Sequence, residues 1–473
     1  MFETVTIPEL DDEYALALNK CIQNIQTNIQ ANRTAVGFYN GEDRIVSLGI
    51  ALPKFLKQIR PVTSWASIIV DSLEERLDIQ NWTLPDTNNT QALEKIKTIW
   101  ADNCLNVEAP QAHKEALIHG VSFTAVTRGG QYDPDPVVTV ESPFNTSGIY
   151  DSVRRDLSHA VVLRNNDEGR IIGATFFTRN ETIQLEKDPQ KLAFEIADID
   201  YHGLNKCMVE RIINNPRPSH PWGSSEITRS VKYYTLGAMR TLCRGEVASE
   251  LFATPQRYIL GIEDFGGDTQ AQYNAYMGHI LGIPDKKDDY DYKRPELGEF
   301  SASSPQPFID MIKCYAQLLA GESALPPQYL GFTTENPASA DQIRAVEARH
   351  VKKAERRQTW FGTAWVKTMK NAYAITGADP ADLQGLNVVW ADASTPTRAA
   401  TTDAIVKQVQ TGILPATSEI TLEQLGYNAQ DIQRVQNEQI RDMLIKMNTN
   451  INETDTNTEK KKTRFFEKWT SNN

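Results

Sequence analysis

Apolar residues recur at three- and four-residue spacing along several stretches of the chain, the mark of helices that bury one face. Over residues 14–33 these positions are Ala15, Leu18, Ile22, Ile25 and Ile29, and Tyr39-Asn40-Gly41 predicts a turn after them. Further helices are predicted over 61–76, over 90–103, and from Pro110 to a stop at Gly120. Between residues 121 and 212 the pattern changes. Segments 121–126, 137–140, 160–163, 171–177 and 181–185 read as short strands, divided by turn clusters such as Asp133-Pro134-Asp135-Pro136. That is an α+β block with a mainly antiparallel sheet, set in a predominantly helical chain.

A proline-rich break (Pro216, Pro218, Pro221) precedes a long helix over 225–253, with Ser224 placed to cap it and Pro255 to end it. Ile227, Val231, Tyr234, Ala238 and Leu242 form its apolar stripe. Residues 256–304 are irregular, with a strand-like 258–262. A shorter amphipathic helix follows over 308–320. After a linker over 325–337, the longest helix is predicted over 340–375. Ser339 and Gln342 stand at capping-box spacing, and Gly377 supplies the C-terminal turn. At about 1.5 Å per residue it is on the order of 50 Å long. Residues 392–402 read as a loop and 403–447 as two or three short helices. The Asn/Thr-rich tail 448–473 reads as disordered.

The 473 residues suggest about three domains at about 150 residues each. The 40% hydrophobic content supports real cores and is somewhat low for one compact globule. A net charge of -12 disfavours a simple, tight DNA binder, which would carry a basic face. The acidic N-terminus lacks the pattern of a signal peptide, and no segment is apolar enough to span a bilayer. Five scattered cysteines form no C-x-x-C pair and read as reduced, mostly buried thiols. No phosphate-cradling glycine motif, no H-E-x-x-H and no G-x-S-x-G elbow is present, and no cofactor is implied. Asp133 and Asp135 are the one close carboxylate pair weighed for a metal.

Charge is patterned locally. The longest helix carries Arg344, Arg349, Lys352, Lys353, Arg356, Arg357, Lys367 and Lys370 against few acids. Two readings stay open: phosphate contact, or a face that is solvated or paired with acidic neighbours, including those of another subunit such as the acidic N-terminus. The run Asp285, Lys286, Lys287, Asp288, Asp289, Tyr290, Asp291, Tyr292, Lys293, Arg294 is either a solvated hairpin tip or a docking surface. The polar loop around Thr333, Thr334, Glu335 and Asn336 joins two helices, as an ordinary connection or as a loop that touches a partner.

Several segments resemble the portal proteins of tailed bacteriophages, in the branch similar to the phage SPP1 portal. They are Pro221-Trp222-Gly223-Ser224-Ser225-Glu226-Ile227, the stretch from Ala253 to Gly261, and Leu325-Pro326-Pro327-Gln328-Tyr329-Leu330-Gly331 continued by Asn336-Pro337-Ala338-Ser339-Ala340-Asp341-Gln342-Ile343. The helix from Glu347-Ala348-Arg349 through Glu355-Arg356-Arg357-Gln358-Thr359-Trp360-Phe361-Gly362 fits as well, with His350 and Val351 as departures. The likeness runs over about 39–377. It implies the portal fold: residues 1–220 and 340–395 as wing, 221–254 and 305–322 as the two stem helices, 255–304 as clip, 323–339 as the tunnel-loop region, 396–447 as crown.

The resemblance also implies a function. About twelve copies would form a ring at one capsid vertex, built in the host cytoplasm and carried in the virion. Double-stranded DNA would pass through it during packaging and ejection. Thr333, Thr334, Glu335 and Asn336 would face that DNA. The clip would dock the terminase large subunit and then the head-completion adaptor, and the major capsid or scaffold protein would surround the ring. No membrane and no catalysis are implied. The alternatives are a DNA-processing enzyme, such as a nuclease or terminase component of the head-assembly module, and a monomeric or dimeric adaptor.

Overall fold

A computed structural model describes residues 7, 10–42, 61–85, 90–187, 194–252, 257–260, 286–287, 292–293, 296–299, 304–331, 340–394, 398–427, 431–435 and 437–441. The chain divides into two units, Met1–Ser394 and Thr395–Asn473.

In the first unit, helix α1 (Asp12–Asn40) is longer than the periodicity predicts at both ends. It stops at Gly41, whose φ of +68° is the left-handed conformation that glycine adopts without a Cβ penalty. Leu18, Ile22 and Ile25 of α1 pack on the inner face of a five-stranded antiparallel meander. Its strands are β4 (Thr146–Asp151), β5 (Asp156–Asn165), β6 (Ile171–Phe177), β7 (Glu181–Lys187) and β8 (Phe194–Tyr201). Val161, Leu163, Phe176, Ile183 and Leu185 supply the sheet side of this smaller core. They alternate along β5 and β6 with Ala160, Val162 and Phe177, which face the other way and join the larger core, so this part of the sheet is buried on both faces.

The larger core gathers helices α2 (Trp65–Glu74), α3 (Thr90–Asp102) and α4 (Leu105–His119) around a three-stranded sheet. That sheet has β2 (Val121–Thr127) between β3 (Val137–Glu141) and β9 (Val209–Ile213). The start of α4 departs from expectation. Pro110 lies inside the helix, not before it, because Leu105 and Ala109 are buried and draw the first turn onto the core. Strands β4, β8 and β9 fall outside the strand segments that the sequence pattern predicts. The same holds for β1 (Ile79–Thr83), which pairs antiparallel with β14 (Asn387–Trp390).

Three long helices complete the unit. Helix α5 (Arg229–Phe252) and helix α6 (Gln306–Ser323) pack side by side. Gly237 lies against Tyr315 and Gly245 against Phe308, so the two helices run antiparallel. Between them, β10 (Arg257–Leu260) pairs with β13 (Glu296–Glu299), and β11 (Lys286–Lys287) pairs with β12 (Tyr292–Lys293), both antiparallel. A 3-10 turn, Pro327–Leu330, follows α6.

Helix α7 (Ala340–Ile375) has the bounds its periodicity predicts, and Gly377, at φ +80°, closes it by donating to the Ala374 carbonyl. Its buried residues Ala354, Phe361, Trp365, Met369 and Ala372 run through the larger core. Trp365 sits edge-on to Trp100, and Trp100 edge-on to Trp82. Ser339, the expected cap, lies outside the described residues.

In the second unit, α8 (Arg398–Gln410) begins inside the stretch read as a loop, and α9 (Glu419–Gln424) is capped by the Ser418 hydroxyl. The tail 448–473 lies outside the described residues. The mixed α and β composition agrees with the expected class, with 51% of the chain helical. Among the described residues no helix is long and apolar enough to cross a membrane.

Candidate functional site

The segment that joins the sheet to α5 is not helical. Asn214 donates its backbone N–H to Gly120, and Ser224 donates to Asn214, so the strand end and the segment lie along the C-terminus of α4. Gly223 is required here: a Cβ would fall 2.4 Å from the Gly120 oxygen and 2.5 Å from the Asn214 oxygen, and its φ is +75°. Ser225 donates its hydroxyl to Ile118, and Glu226 its N–H to Leu117. Ser224 therefore does not cap α5. The helix starts at Arg229, and the Thr228 hydroxyl accepts from Val231 N–H in the capping role.

This strap delivers Glu226 into the interior, 6% exposed. One carboxylate oxygen accepts from Lys353 Nζ at 2.5 Å, and the other from Arg357 Nη2 at 2.5 Å and Asn214 Nδ2 at 3.0 Å. Arg357 Nε donates to Asn214 Oδ1, which closes the network. Lys353 and Arg357 stand four apart, so α7 presents both on one face. Burial works against the charge on Glu226. Lys353 and then Arg357 outweigh it and hold the carboxyl down at about 2. The clamp ties α7 to the root of α5, and Lys353 also donates to Ser323, the last residue of α6.

A second cluster stands beside it. Tyr329, in the turn after α6, donates its hydroxyl to Glu347 of α7 at 3.0 Å and accepts from Arg76 Nη2 at 3.0 Å. Arg76 pairs with Glu347 at 3.8 Å and donates to the Ala393 carbonyl. Burial raises the Tyr329 phenol above its ordinary value. His350 Nε2 meets the Ser72 carbonyl at 3.1 Å. The two ends of segment 332–339 are thus held by one set of contacts: Tyr329 before it, Glu347 and Lys353 after it. Thr333, Thr334, Glu335 and Asn336 lie outside the described residues.

The basic run on α7 therefore divides. Lys353 and Arg357 point inward and are paired. Arg349 is exposed and donates to Gly321 of α6 at 2.8 Å. Lys352 is exposed and pairs with Glu355 on its own helix. Arg356 is exposed, and the side chain of Arg344 lies outside the described residues. Lys367 donates to the Arg155 carbonyl and stands 4.0 Å from Glu210. In the other charged run, Lys286 pairs in register with Lys293 and Lys287 with Tyr292. Asp285, Asp288, Asp289, Tyr290, Asp291 and Arg294 lie outside the described residues.

Asp133 and Asp135 accept from Gly130 and Gly129 N–H, so both carboxylates fold back on their own loop. Among the described residues no group of three His, Cys, Asp or Glu side chains is placed to hold a metal. Cys21, Cys207 and Cys243 are buried thiols, whereas Cys104 and Cys314 are exposed. The sequence reading overlooked Glu226, Asn214, Arg76 and Glu347 as a group. Its available signal was the i, i+4 pair Lys353/Arg357 on an otherwise apolar face.

A family model described as phage portal protein, SPP1 Gp6-like, matches residues 18–443. The portal protein of Mycobacterium phage D29 is 31% identical over 428 residues, covering 88% of this chain and 86% of that protein. The portal protein of Mycobacterium phage L5 is 32% identical over 413 residues, covering 83% and 82%. A solved structure described as the virion of a native gene transfer agent particle is 11% identical, with a TM-score of 0.45 over 76% of this chain and 89% of that one. Matched by the family model over most of its length, and by two named portal proteins above 30% identity, this chain belongs to the phage portal protein family.

Proposed function

We propose that about twelve copies of this portal protein close into a ring at one capsid vertex, and that double-stranded DNA passes through its centre during packaging and ejection. The observation that carries the layout is the antiparallel pair α5 and α6, clamped at its root to α7 through Glu226, Lys353 and Arg357. Such a pair gives each subunit a stiff double rod with the β10–β13 excursion at its far end. In this reading α5 and α6 are the stem, residues 255–304 the clip, 396–447 the crown, and the rest of the first unit the wing. The clip docks the terminase large subunit and later the head-completion adaptor. Thr333, Thr334, Glu335 and Asn336 form the loop that meets DNA. Capsid or scaffold protein contacts the wing.

A cyclic ring uses two different faces of each chain, and it needs no catalytic group of its own because the packaging ATPase supplies the energy. The net charge of -12 per chain suits a conduit that must not grip DNA. A ring of twelve 53.1 kDa chains weighs about 640 kDa. Mass measurement and end-on electron micrographs of the protein assembled with its capsid partners test the ring. Finding only monomers there would overturn it. Deleting residues 333–336 is expected to leave folding and ring formation intact while packaging fails. Normal packaging by that variant would remove the DNA-facing role of the loop.

A further inference from the structure

A cleft of about 170 Å³ lies further along the face of α7 that carries the Glu226 clamp, and its wall includes Trp360, whose ring the Arg357 guanidinium covers at 5.2 Å. One helical stripe of α7, Trp360 to Lys367, forms one wall, and β9 with Pro216 forms the opposite wall. Arg155, in the turn between β4 and β5, stands at the rim. Three cations, Arg155, Arg211 and Lys367, line this space against one carboxylate, Glu210.

That carboxylate is already engaged. Glu210 is 4% exposed and accepts from Lys206 at 3.0 Å and from Asn371 at 3.4 Å, with Lys367 at 4.0 Å. Arg211 is 9% exposed; Glu210 and Asp156 act on its charge through space, but among the described residues its guanidinium makes no carboxylate hydrogen bond. It donates to the Pro221 carbonyl and is sandwiched by the faces of Tyr150, 4.0 Å from the ring centre, and Trp222, 4.8 Å. Aromatic faces and a carbonyl solvate a cation only in part, and the neighbouring carboxylate of Glu210 is already shared with Lys206 and Lys367. Arg155 is exposed and has no ion pair among the described residues, and its φ of +59° is a left-handed conformation uncommon for a residue other than glycine. Lys367 donates to the Arg155 carbonyl at 2.9 Å.

We propose that this cleft is an oxyanion site that takes a phosphate group between Arg155, Arg211 and Lys367. Guanidinium forks match the tetrahedral oxygens of phosphate and bind it through paired charge-assisted hydrogen bonds. The phosphate comes from free inorganic phosphate or from a nucleic-acid backbone, and the chemistry recognised is the same. Its test requires neither ring formation nor the segment around Thr333.

The test uses the full chain at low ionic strength, with inorganic phosphate and a short DNA duplex as separate probes in calorimetric titrations. Saturable phosphate binding is expected. Arg155→Ala should weaken it roughly tenfold, the loss of one charge-assisted contact. Arg155→Gly should weaken it equally while relaxing the left-handed backbone, so that loss of binding is not loss of fold. Lys352→Ala, a surface lysine paired with Glu355, should leave binding unchanged. If phosphate binds and the duplex does not, the site takes the free anion. If both bind, phosphate displaces the duplex and both Arg155 variants lose both probes, the site takes backbone phosphate. Absence of saturable binding by either probe, or equal binding by wild type and the Arg155 variants, overturns the proposal.

Discussion

Trp365 donates its indole N–H to Nε2 of His113 at 2.8 Å, in the centre of the larger core. The acceptance fixes that nitrogen as unprotonated, and Phe361 stacks on the same ring. Burial pushes the His113 pKa down from 6.5 to about 3, and that of His119 to about 4. A histidine depressed in the folded state binds a proton more readily when unfolded. Its contribution is therefore complete above about pH 6.5 and is lost as pH falls from 6.5 towards 3. Urea midpoints measured between pH 7 and pH 4.5 should fall with acidification, and His113→Gln should flatten that slope while lowering the whole curve. An unchanged slope would remove His113 from the acid response.

Glu226→Gln leaves Lys353 and Arg357 facing each other in a buried site without their anion. Losing one partner of a buried pair costs about 3–5 kcal/mol, and equilibrium denaturation should show a loss of that order. Replacing all three groups with apolar residues, as in Glu226→Leu with Lys353→Met and Arg357→Met, should recover much of it, because no unpaired charge then remains. A Glu226→Gln protein as stable as wild type would show that the clamp is not needed for the fold.

Adjacent lysines on α7 should behave differently. Lys352 is paired on the surface, and Lys352→Ala should change stability by less than about 0.5 kcal/mol. Lys353 bonds a buried carboxylate and a helix-end carbonyl, and Lys353→Ala should cost roughly 2 kcal/mol or more. Equal effects at the two positions, measured side by side, would contradict the inward orientation of Lys353.

Gly237 lets α6 approach α5 closely: a Cβ there would come within 3.0 Å of the Tyr315 ring. Gly237→Val should lower stability by about 1–3 kcal/mol through overpacking. Combined with Tyr315→Ala, the penalty should be less than the sum of the two single changes, since the smaller side chain vacates the space. Strict additivity would mean that the two residues do not meet.

The helices α5, α6 and α7 were legible because their apolar residues keep one period over many turns, and for α7 both ends carry turn chemistry. Strand β9 was not legible. Val209 to Ile213 encloses Glu210 and Arg211, two charges that read as exposed, yet both are buried. Lys206, four residues away, pairs with Glu210, but the rest of what accommodates them comes from distant parts of the chain: Asn371 on α7 for Glu210, and the ring of Tyr150 for Arg211. Strand β8 likewise carries Glu195, Asp198 and Asp200 on the edge of its sheet, where acidic residues conceal the strand pattern. The basic run on α7 was visible as charge. Its division into paired and exposed members depends on Glu226, whose position ahead of α5 suggests only a first-turn acid. The close fit of Gly223 to Gly120 and Asn214 turns Glu226 inward, and no periodicity encodes that.

The pairing of Arg257 with Glu299 and Leu260 with Glu296 has an evolutionary consequence. The two strands bring the ends of segment 261–295 together, so the chain leaves and re-enters the paired rods at one stitched doorway. The entropy of closing such an excursion rises by only about 0.6 kcal/mol for each doubling of its length. Changes in the length of 261–295 should therefore cost the rest of the subunit little, and a chimera that exchanges this insert between relatives is expected to fold as the parent does.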